Sequence, residues 1–355
     1  MALTIGLVGA GSISYPHVHA HTKNPNVAKV VVAEISDAAR QRLCGRYGLS
    51  GLSDYRQLID DPAIDLIDVC LPSHLHEGVS IEALRAGKHV ICEKPPALSV
   101  EGTQRMIAAA HSAKRRLFGV LNQRFMPMHE QAKRLIDQGA IGRPMFMTSF
   151  ILGNEIDRMN DPDHWKGDRE KSGGGVLIDS GIHHIDLMRF LLGEAAGVSA
   201  VTKRFMVKPA HKEEDSAFVT IEFENGAVGT LAASYAMTEL PWTEPKTIYG
   251  TEGTLVIDDS GASPLTLVKA AKKAVCDDGF VRCQAIERSA VAVPTVPTDN
   301  DNPLWYYSIG RCLDDFIDAL VRDRQPAVAF EDGQAALAVV AAAYQSQKSG
   351  TRVTL

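Results

Sequence analysis

Three consecutive glycines, Gly173-Gly174-Gly175, open the stretch of this chain whose residue types most suggest chemistry; Val176 through Leu192 follow and Gly193 closes it. Read as a helix at about 100° per residue, the stretch puts Asp179, His183 and Asp186 on one narrow arc. Most of the remaining circumference is apolar or small, from Leu177 and Ile178 to Leu191 and Leu192. A helix apolar nearly all round is a buried one, and buried charge needs a partner or a cavity. The spacing lets the Asp179 carboxylate touch the His183 imidazole, orient it and favour its protonated form. A general base that accepts a proton from an alcohol needs that support. The same spacing also fits a satisfied structural Asp–His pair. It fits a D-x-x-x-H metal pair too, but no third ligand is apparent and no metal site is expected.

Two further groups could act with it. Glu93-Lys94-Pro95 follows a strand pattern, and Pro95 biases Lys94 toward extended geometry at the sheet edge. A lysine there can hydrogen-bond a substrate oxygen or shuttle a proton, although a lysine at a strand end often simply meets water. Gly9-Ala10-Gly11-Ser12-Ile13-Ser14 follows the first strand pattern and opens a helix. It is a G-x-G-x-x-G loop with serine in third place, and such loops seat a pyrophosphate at a helix N-terminus. Glu34 ends the second strand pattern, where a carboxylate accepts ribose hydroxyls and repels a 2′-phosphate. NAD is therefore favoured over NADP, with Arg40 or Arg42 as the residues that could reach a phosphate. His17, His19 and His21 alternate on the first helix; residues two apart face opposite ways and do not converge on an ion, so structural or capping histidines are expected.

These residues need a frame to hold them. The first third alternates strand patterns (Leu3–Val8, Lys29–Ala33, Leu66–Leu71, His89–Cys92, Leu117–Leu121) with helical ones (Ala38–Tyr47, Ser73–Ala86, Val100–Ala113). Gly48 and Gly87 stand at helix C-caps. Near-continuous apolar strands are buried on both faces, as in a parallel sheet, so residues 1–122 read as a doubly wound α/β Rossmann domain. From 123 to 355 the strands (Met145–Ile151, Val198–Met206, Ser216–Glu224, Ala227–Tyr235, Gly253–Ile257) lack intervening helices, which predicts an α+β domain with a largely antiparallel open sheet. Val219, Ile221 and Phe223 alternate with polar residues, and Asn225-Gly226 signals a hairpin with positive φ at both positions. Helices are expected at Leu304–Arg322 and Glu331–Gln347; the last, about 331–349, could pack back on the first domain.

The 355 residues are 45% hydrophobic and 23% charged, with a net charge of −6. That composition belongs to a folded globular protein and makes nucleic acid an unlikely partner; Lys114-Arg115-Arg116 and Lys272-Lys273 read as solvated ends. The longest apolar stretch, Ala335–Tyr344, falls short of the roughly 18 residues that span a bilayer. Met1 runs straight into a strand pattern, so neither membrane nor secretory signal is expected. The six cysteines at 44, 70, 92, 276, 283 and 312 form no C-x-x-C pair. They read as reduced thiols of a cytoplasmic protein.

Taken together, the motifs resemble those of the glucose–fructose oxidoreductase, inositol dehydrogenase and rhizopine-catabolism (Gfo/Idh/MocA) family over nearly the whole chain. The resemblance rests on Gly9 to Ile13, Pro72-Ser73-His74-Leu75-His76, Glu93-Lys94-Pro95, Asn122-Gln123-Arg124-Phe125, Trp165-Lys166, Gly173 to Asp186 and Gly250-Thr251-Glu252-Gly253-Thr254. It implies a nicotinamide-dependent oxidoreductase of sugars, cyclic polyols or their derivatives, with Lys94, Asp179 and His183 as the catalytic trio. It implies cofactor contacts from Gly9, Ala10, Gly11, Ser12, Ile13, Glu34, Leu71, Pro72, Ser73, His76, Glu93, Lys94, Asn122 and Arg124. Trp165 and Lys166 join the trio around substrate. Ser14 for a glycine or alanine, Ser73 for the commoner asparagine and Lys166 for the commoner arginine are departures from the pattern. A homodimer or homotetramer through the second-domain sheet is implied as well.

The leading expectation is an NAD-dependent dehydrogenase in which His183 takes the hydroxyl proton, Asp179 steadies the ring and Lys94 bonds the reacting oxygen. One alternative is a glycosidase that oxidises its sugar transiently with bound NAD and then eliminates. The other is a dinucleotide-dependent sensor, which would have no use for a proton-transfer set. Pocket residues around Asn154 to Trp165, Trp242 and Tyr306 carry no readable code for the substrate.

Overall fold

The computed structural model describes residues 2–211, 213–258, 263–275, 281–297 and 302–355, with side chains from 272 to 284 excepted. Cys276 and the side chains of Cys283, Lys272 and Lys273 therefore fall outside what is described. Along the chain come β1 (Leu3–Val8), α1 (Ser14–Lys23), β2 (Val27–Ala33), α2 (Asp37–Tyr47), β3 (Ser50–Leu52), α3 (Arg56–Asp60), β4 (Leu66–Val69), α4 (His76–Arg85), β5 (His89–Cys92), α5 (Val100–Ala113) and β6 (Leu117–Gly119). The six strands pair in parallel in the order β3-β2-β1-β4-β5-β6. The order reverses between β1 and β4, and ligands of open α/β sheets bind beyond the strand C-termini at such a point. All of β4 is buried, as a near-continuous apolar strand requires, with Asp68 in its middle. Caps delimit the helices as the sequence suggests. The Ser36 hydroxyl accepts the Ala39 amide and Gly48 leaves α2 at φ +66°.

Next come α6 (Pro127–Asp137), β7 (Pro144–Leu152), α7 (Ile156–Met159), α8 (Arg169–Ser172), α9 (Ile182–Leu192), β8 (Ala195–Lys203), β9 (Ser216–Phe223), β10 (Val228–Ser234), β11 (Lys246–Gly250), β12 (Thr254–Ile257), β13 (Leu265–Val275), β14 (Val281–Ala290), α10 (Pro303–Val321), α11 (Phe330–Ser349) and β15 (Val353–Thr354). Nine of these are strands of one sheet, ordered β14-β13-β12-β11-β7-β10-β9-β8-β15. Its pairs are antiparallel except β10 with β7, so the sheet is mixed and largely antiparallel. The long connection through α7, α8 and α9 gives the chain the length that a parallel return requires. Along β9, Val219, Ile221 and Phe223 are buried while Phe218, Thr220 and Glu222 are exposed, the one-dry-face pattern of the sequence. The β9–β10 turn differs from expectation. Gly226 has φ +83° but Asn225 does not share a positive φ. Asn225 instead donates its side-chain amide to Leu192 O at 2.6 Å, and the loop is longer than a two-residue turn.

The chain forms two compact units, residues 1–125, 168–173 and 296–338 in one, and 126–167, 174–295 and 339–355 in the other. A boundary near 122 puts α10 with the second domain, yet its Ile309, Leu313, Phe316 and Ile317 pack with Phe118 and Leu121 of the first unit. The start of α11 belongs there too, through Phe330, whereas Ser346 near its end accepts the Ala200 amide in the second unit. Among the described residues Cys44, Cys70, Cys92 and Cys312 are free thiols, and no helix is long and apolar enough to cross a membrane.

Candidate active site

In the first unit the glycine loop is fixed by close packing. Gly9 has φ +106° and a Cβ there would lie 2.3 Å from Cys70 O, so only glycine lets β1 turn beside the end of β4. Around Gly11 the situation is the opposite. Nothing lies within 4 Å of where its Cβ would stand, which leaves over the loop the room that a pyrophosphate occupies. Ser14, the departure at the third position, is buried and donates its hydroxyl to Gly9 O at 3.0 Å, so the loop absorbs the extra oxygen. Ala10 is buried, Ser12 exposed and Ile13 half-buried. Glu34 braces the loop: its two carboxylate oxygens accept the Ala10 and Ser36 amides, each at 2.8 Å. A carboxylate oxygen has a second lone pair, so ribose hydroxyls can still be accepted. Arg40 donates to Glu34 O at 2.6 Å and pairs with Asp37. The open cradle and the acid at the end of β2 fit a dinucleotide.

At the ends of β4 and β5, Leu71 and Pro72 are half-buried and Ser73 is buried. His76 is buried, with Nδ1 on Pro95 O at 2.7 Å and Nε2 on Leu71 O at 2.8 Å. Burial lowers its proton affinity, so the neutral ring has one N–H to donate and lies between the two strand-end carbonyls. Lys94 is half-buried while every other residue from Ile91 to Ala97 is buried, so it is the side chain this turn presents. Asn122 donates to Ser308 Oγ at 2.8 Å and Arg124 pairs with Asp332 at 3.0 Å. These two residues, expected at the cofactor, fasten the end of β6 to α10 and α11 within the same unit.

The first helix differs most from its sequence reading. His17 and His21 are four apart, not two, and both are buried against the same Asp68 oxygen. His17 Nδ1 lies 2.8 Å and His21 Nε2 2.7 Å from Asp68 Oδ2, and His17 Nε2 lies 3.0 Å from Glu93 Oε1. The three groups could be grouped as metal ligands. Two ligands about 2.0–2.1 Å from a tetrahedral zinc stand about 3.3 Å apart, so the closer separations here are those of hydrogen bonds. Burial works against the charge of His17, but the neighbouring Asp68 carboxylate holds its imidazolium well above the usual histidine range. Burial raises Glu93 as well, and the bond to His17 outweighs it, leaving the carboxyl below its ordinary value. The signal in the sequence was a lone aspartate inside an apolar strand, which must find a partner.

Each glycine of the triplet has its reason, with Gly173 at the end of a first-unit segment and Gly174 and Gly175 in the second unit. Gly173 ends α8 at φ +80°, a Cβ on Gly174 would strike the Tyr344 hydroxyl at 2.1 Å, and one on Gly175 would strike Glu214 O at 1.7 Å. Residues 177–181 then form a single π-turn before α9. π-turns recur at functional sites and shift helical phase, here the phase of Asp179 against His183 and Asp186 of α9. Asp186 is buried, 3.9 Å from Arg189, while Asp179 and His183 are the only residues from 174 to 189 that are not buried. The neighbouring His184 is the structural one. It is fully buried between Ser149 Oγ at 2.7 Å and Glu244 Oε2 at 3.1 Å, and burial lowers its proton affinity.

Asp179 sits in a polar cluster that sequence spacing did not reveal. Its Oδ2 accepts the Tyr235 hydroxyl at 2.6 Å and pairs with the Lys166 ammonium at 2.7 Å. Lys166 also reaches Glu155 at 3.3 Å, and Tyr235 shares a bond with Ser180. Burial opposes the Lys166 charge, but Asp179 and Glu155 together hold it above the usual lysine range. Burial, with Asp179 adding to it, pushes the Tyr235 phenol well up, so it stays a donor. Trp165, half-buried, lies beside Lys166, whose ammonium is 6.0 Å from its ring centroid. The Gly250–Thr254 signature is a β11–β12 turn packed on Ile141, with the Gly250 amide on Gly253 O at 2.8 Å.

Residues 3–120 match the model of an oxidoreductase family's NAD-binding Rossmann fold, and residues 133–355 that of the same family's C-terminal α/β domain. The levoglucosan dehydrogenase of Pseudarthrobacter phenanthrenivorans is 29% identical over 302 residues, 77% of each chain. The scyllo-inositol 2-dehydrogenase (NAD(+)) of Bacillus subtilis is 30% identical over 278 residues, covering 74% of this chain and 76% of its own. A solved levoglucosan dehydrogenase in complex with NADH and levoglucosan superposes with a TM-score of 0.86 at 27% identity, over 100% of this chain and 99% of that one.

Proposed function

The chain belongs to the Gfo/Idh/MocA family of NAD-binding oxidoreductases, and from that premise we propose that it is an NAD-dependent dehydrogenase of a sugar, cyclic polyol or related derivative. The first unit holds the nucleotide and the second the substrate. Bound NAD supplies the acceptor for the hydride that leaves the carbinol carbon. His183 takes the hydroxyl proton, Lys94 donates a hydrogen bond to the oxygen as it becomes a carbonyl, and Asp179 holds the base side of the reaction in place. Trp165 and Lys166 line the substrate side. The observation that carries this reading is that Asp179 and His183 are only half-buried on a segment otherwise buried from 174 to 189. A screen of inositols, aldoses, uronates and amino sugars, followed by reduced-nicotinamide fluorescence, tests it. At least one polyol should reduce NAD; cleavage of a chromogenic glycoside without net reduction would overturn it.

Glu34 sets the choice of nucleotide in this reading, because a carboxylate there repels a 2′-phosphate. In Glu34→Ala the ratio of NAD to NADP affinity should fall at least about tenfold, equivalent to 1.4 kcal/mol. Binding of both nucleotides should also weaken, since the Ala10 and Ser36 amides lose their acceptor. Titrations of nucleotide into both proteins give the ratio, and an unchanged ratio would remove Glu34 from discrimination.

The protein is also proposed to be a cytoplasmic homo-oligomer joined through the open sheet. Its free thiols support the first point. For the second, Phe150, Ala232, Phe218 and Val201 stand in register across β7, β10, β9 and β8, and the three larger side chains are 41%, 45% and 47% exposed. An exposed apolar row of this kind favours association. Phe218→Lys should shift the mass measured by light scattering from oligomer to monomer; a wild-type monomer would refute the proposal.

A further inference from the structure

Lys94 is the residue the β5 turn presents, and both of its flanks are anchored by buried histidines. On one side His76 holds Pro95 O at 2.7 Å. On the other a continuous chain runs from α1: His21 Nε2 to Asp68 Oδ2 at 2.7 Å, Asp68 Oδ2 to His17 Nδ1 at 2.8 Å and His17 Nε2 to Glu93 Oε1 at 3.0 Å. Glu93 Oε2 then accepts the Lys94 backbone amide at 2.9 Å. From His21 to Glu93, every residue in this chain of contacts is under 5% exposed. The residues come from three elements and no step of the proposed chemistry uses them.

Ionised carboxylates only accept hydrogen bonds. His17 lies between two of them, so both its nitrogens must donate and the ring carries a full positive charge. That charge compensates two buried anions, each of which would be costly alone. It also fixes the rotation of the Glu93 carboxylate, because one oxygen is bound to His17 and the other to the Lys94 amide. We propose that His17 is a positioning residue: its imidazolium clamps Glu93, and Glu93 sets the backbone from which Lys94 reaches the reacting oxygen. The proposal rests on the dehydrogenase reading for the role of Lys94, but the clamp itself does not. The groups facing His17 are Asp68 and Cys70 from β4 and its end, Glu93 from the end of β5, Cys312 from α10 and His21 from α1 itself.

A double-mutant cycle reads coupling of this kind. His17→Gln and Glu93→Gln should each lower kcat about 10- to 100-fold, and in His17→Gln KM for the polyol and the NAD dissociation constant should change less than about threefold. The double variant should be no slower than the slower single one, because both act on the same link. Independent losses that multiply, or a folded His17→Gln with wild-type kcat, would overturn the proposal. If both single variants fail to fold, the network is structural and the positioning role is refuted. Imidazole 15N shifts of the wild-type protein give a readout free of activity: His17 should carry protons on both nitrogens at pH 7.5, and a neutral ring would remove the clamp. Wild-type protein that shows the doubly protonated ring yet oxidises no polyol would sink the dehydrogenase reading and leave the clamp standing.

Discussion

Alanine at position 183 is expected to lower kcat by about 10²- to 10⁴-fold, the range that a positioned acid–base group contributes. NAD affinity should change less than about threefold, because the nucleotide contacts lie elsewhere and only transition-state stabilisation is lost. The neighbouring histidine is the internal control. His184 is fully buried and engaged at both nitrogens by Ser149 and Glu244. His184→Ala should therefore act on stability, removing a buried partner from each of Ser149 and Glu244. Thermal unfolding of the two variants beside steady-state kinetics separates them. His183→Ala should melt near the wild type with little activity; His184→Ala should melt lower and keep catalytic competence while folded. The reverse pattern would exchange the roles.

The second large effect is expected from Lys166→Met. Lys166 is the cation between Asp179 and Glu155, and its side chain is 17% exposed. Removing one member of a buried pair leaves the other charge without compensation, at a cost of up to 3–5 kcal/mol for full burial and roughly 2–3 kcal/mol once the residual exposure is allowed for. Asp179 would retain the Tyr235 hydroxyl as its donor but lose the neighbouring positive charge, so turnover should fall together with stability. Lys166→Arg keeps the charge and should restore most of both. Chemical unfolding and kcat/KM of the three proteins give the result. A Lys166→Met protein as stable and active as the wild type would show that the cluster is incidental to Asp179.

The frame of this molecule was largely legible because local rules and tertiary demands agree in it. Continuous apolar strands alternate with capped helices, and Gly9, Gly11 and Glu34 occupy the places that their chemistry requires in a 3-2-1-4-5-6 sheet. The second-domain sheet was legible where strands alternate, as in Ser216–Phe223, and less so at Lys246–Gly250 and Leu265–Val275, whose patterns are weaker. Helical phase was the misleading part. One π-turn over Leu177–Gly181 shifts Asp179 against His183 and Asp186, which both lie in α9, and propensity gives no warning of such a turn. The polar networks escaped for a different reason: Tyr235 meets Asp179 across 56 positions and His17 meets Glu93 across 76. Asp68 in an apolar strand, and histidines four apart on α1, were the traces available beforehand. Asn122 and Arg124, expected at the nucleotide edge, also tie down α10 and α11, a second role that only packing reveals.

The central claim is that His183 accepts the substrate proton as hydride leaves. Steady-state rates can be limited by product release rather than by chemistry, so the direct measurement is a single turnover. Enzyme saturated with NAD is mixed with a limiting amount of the best polyol, protiated or deuterated at the reacting carbon, and reduced nicotinamide is followed by fluorescence. The account predicts that His183→Ala slows this step by at least about 10²-fold and that the deuterium effect is fully expressed in the variant. Reduction at the wild-type rate in His183→Ala would contradict it.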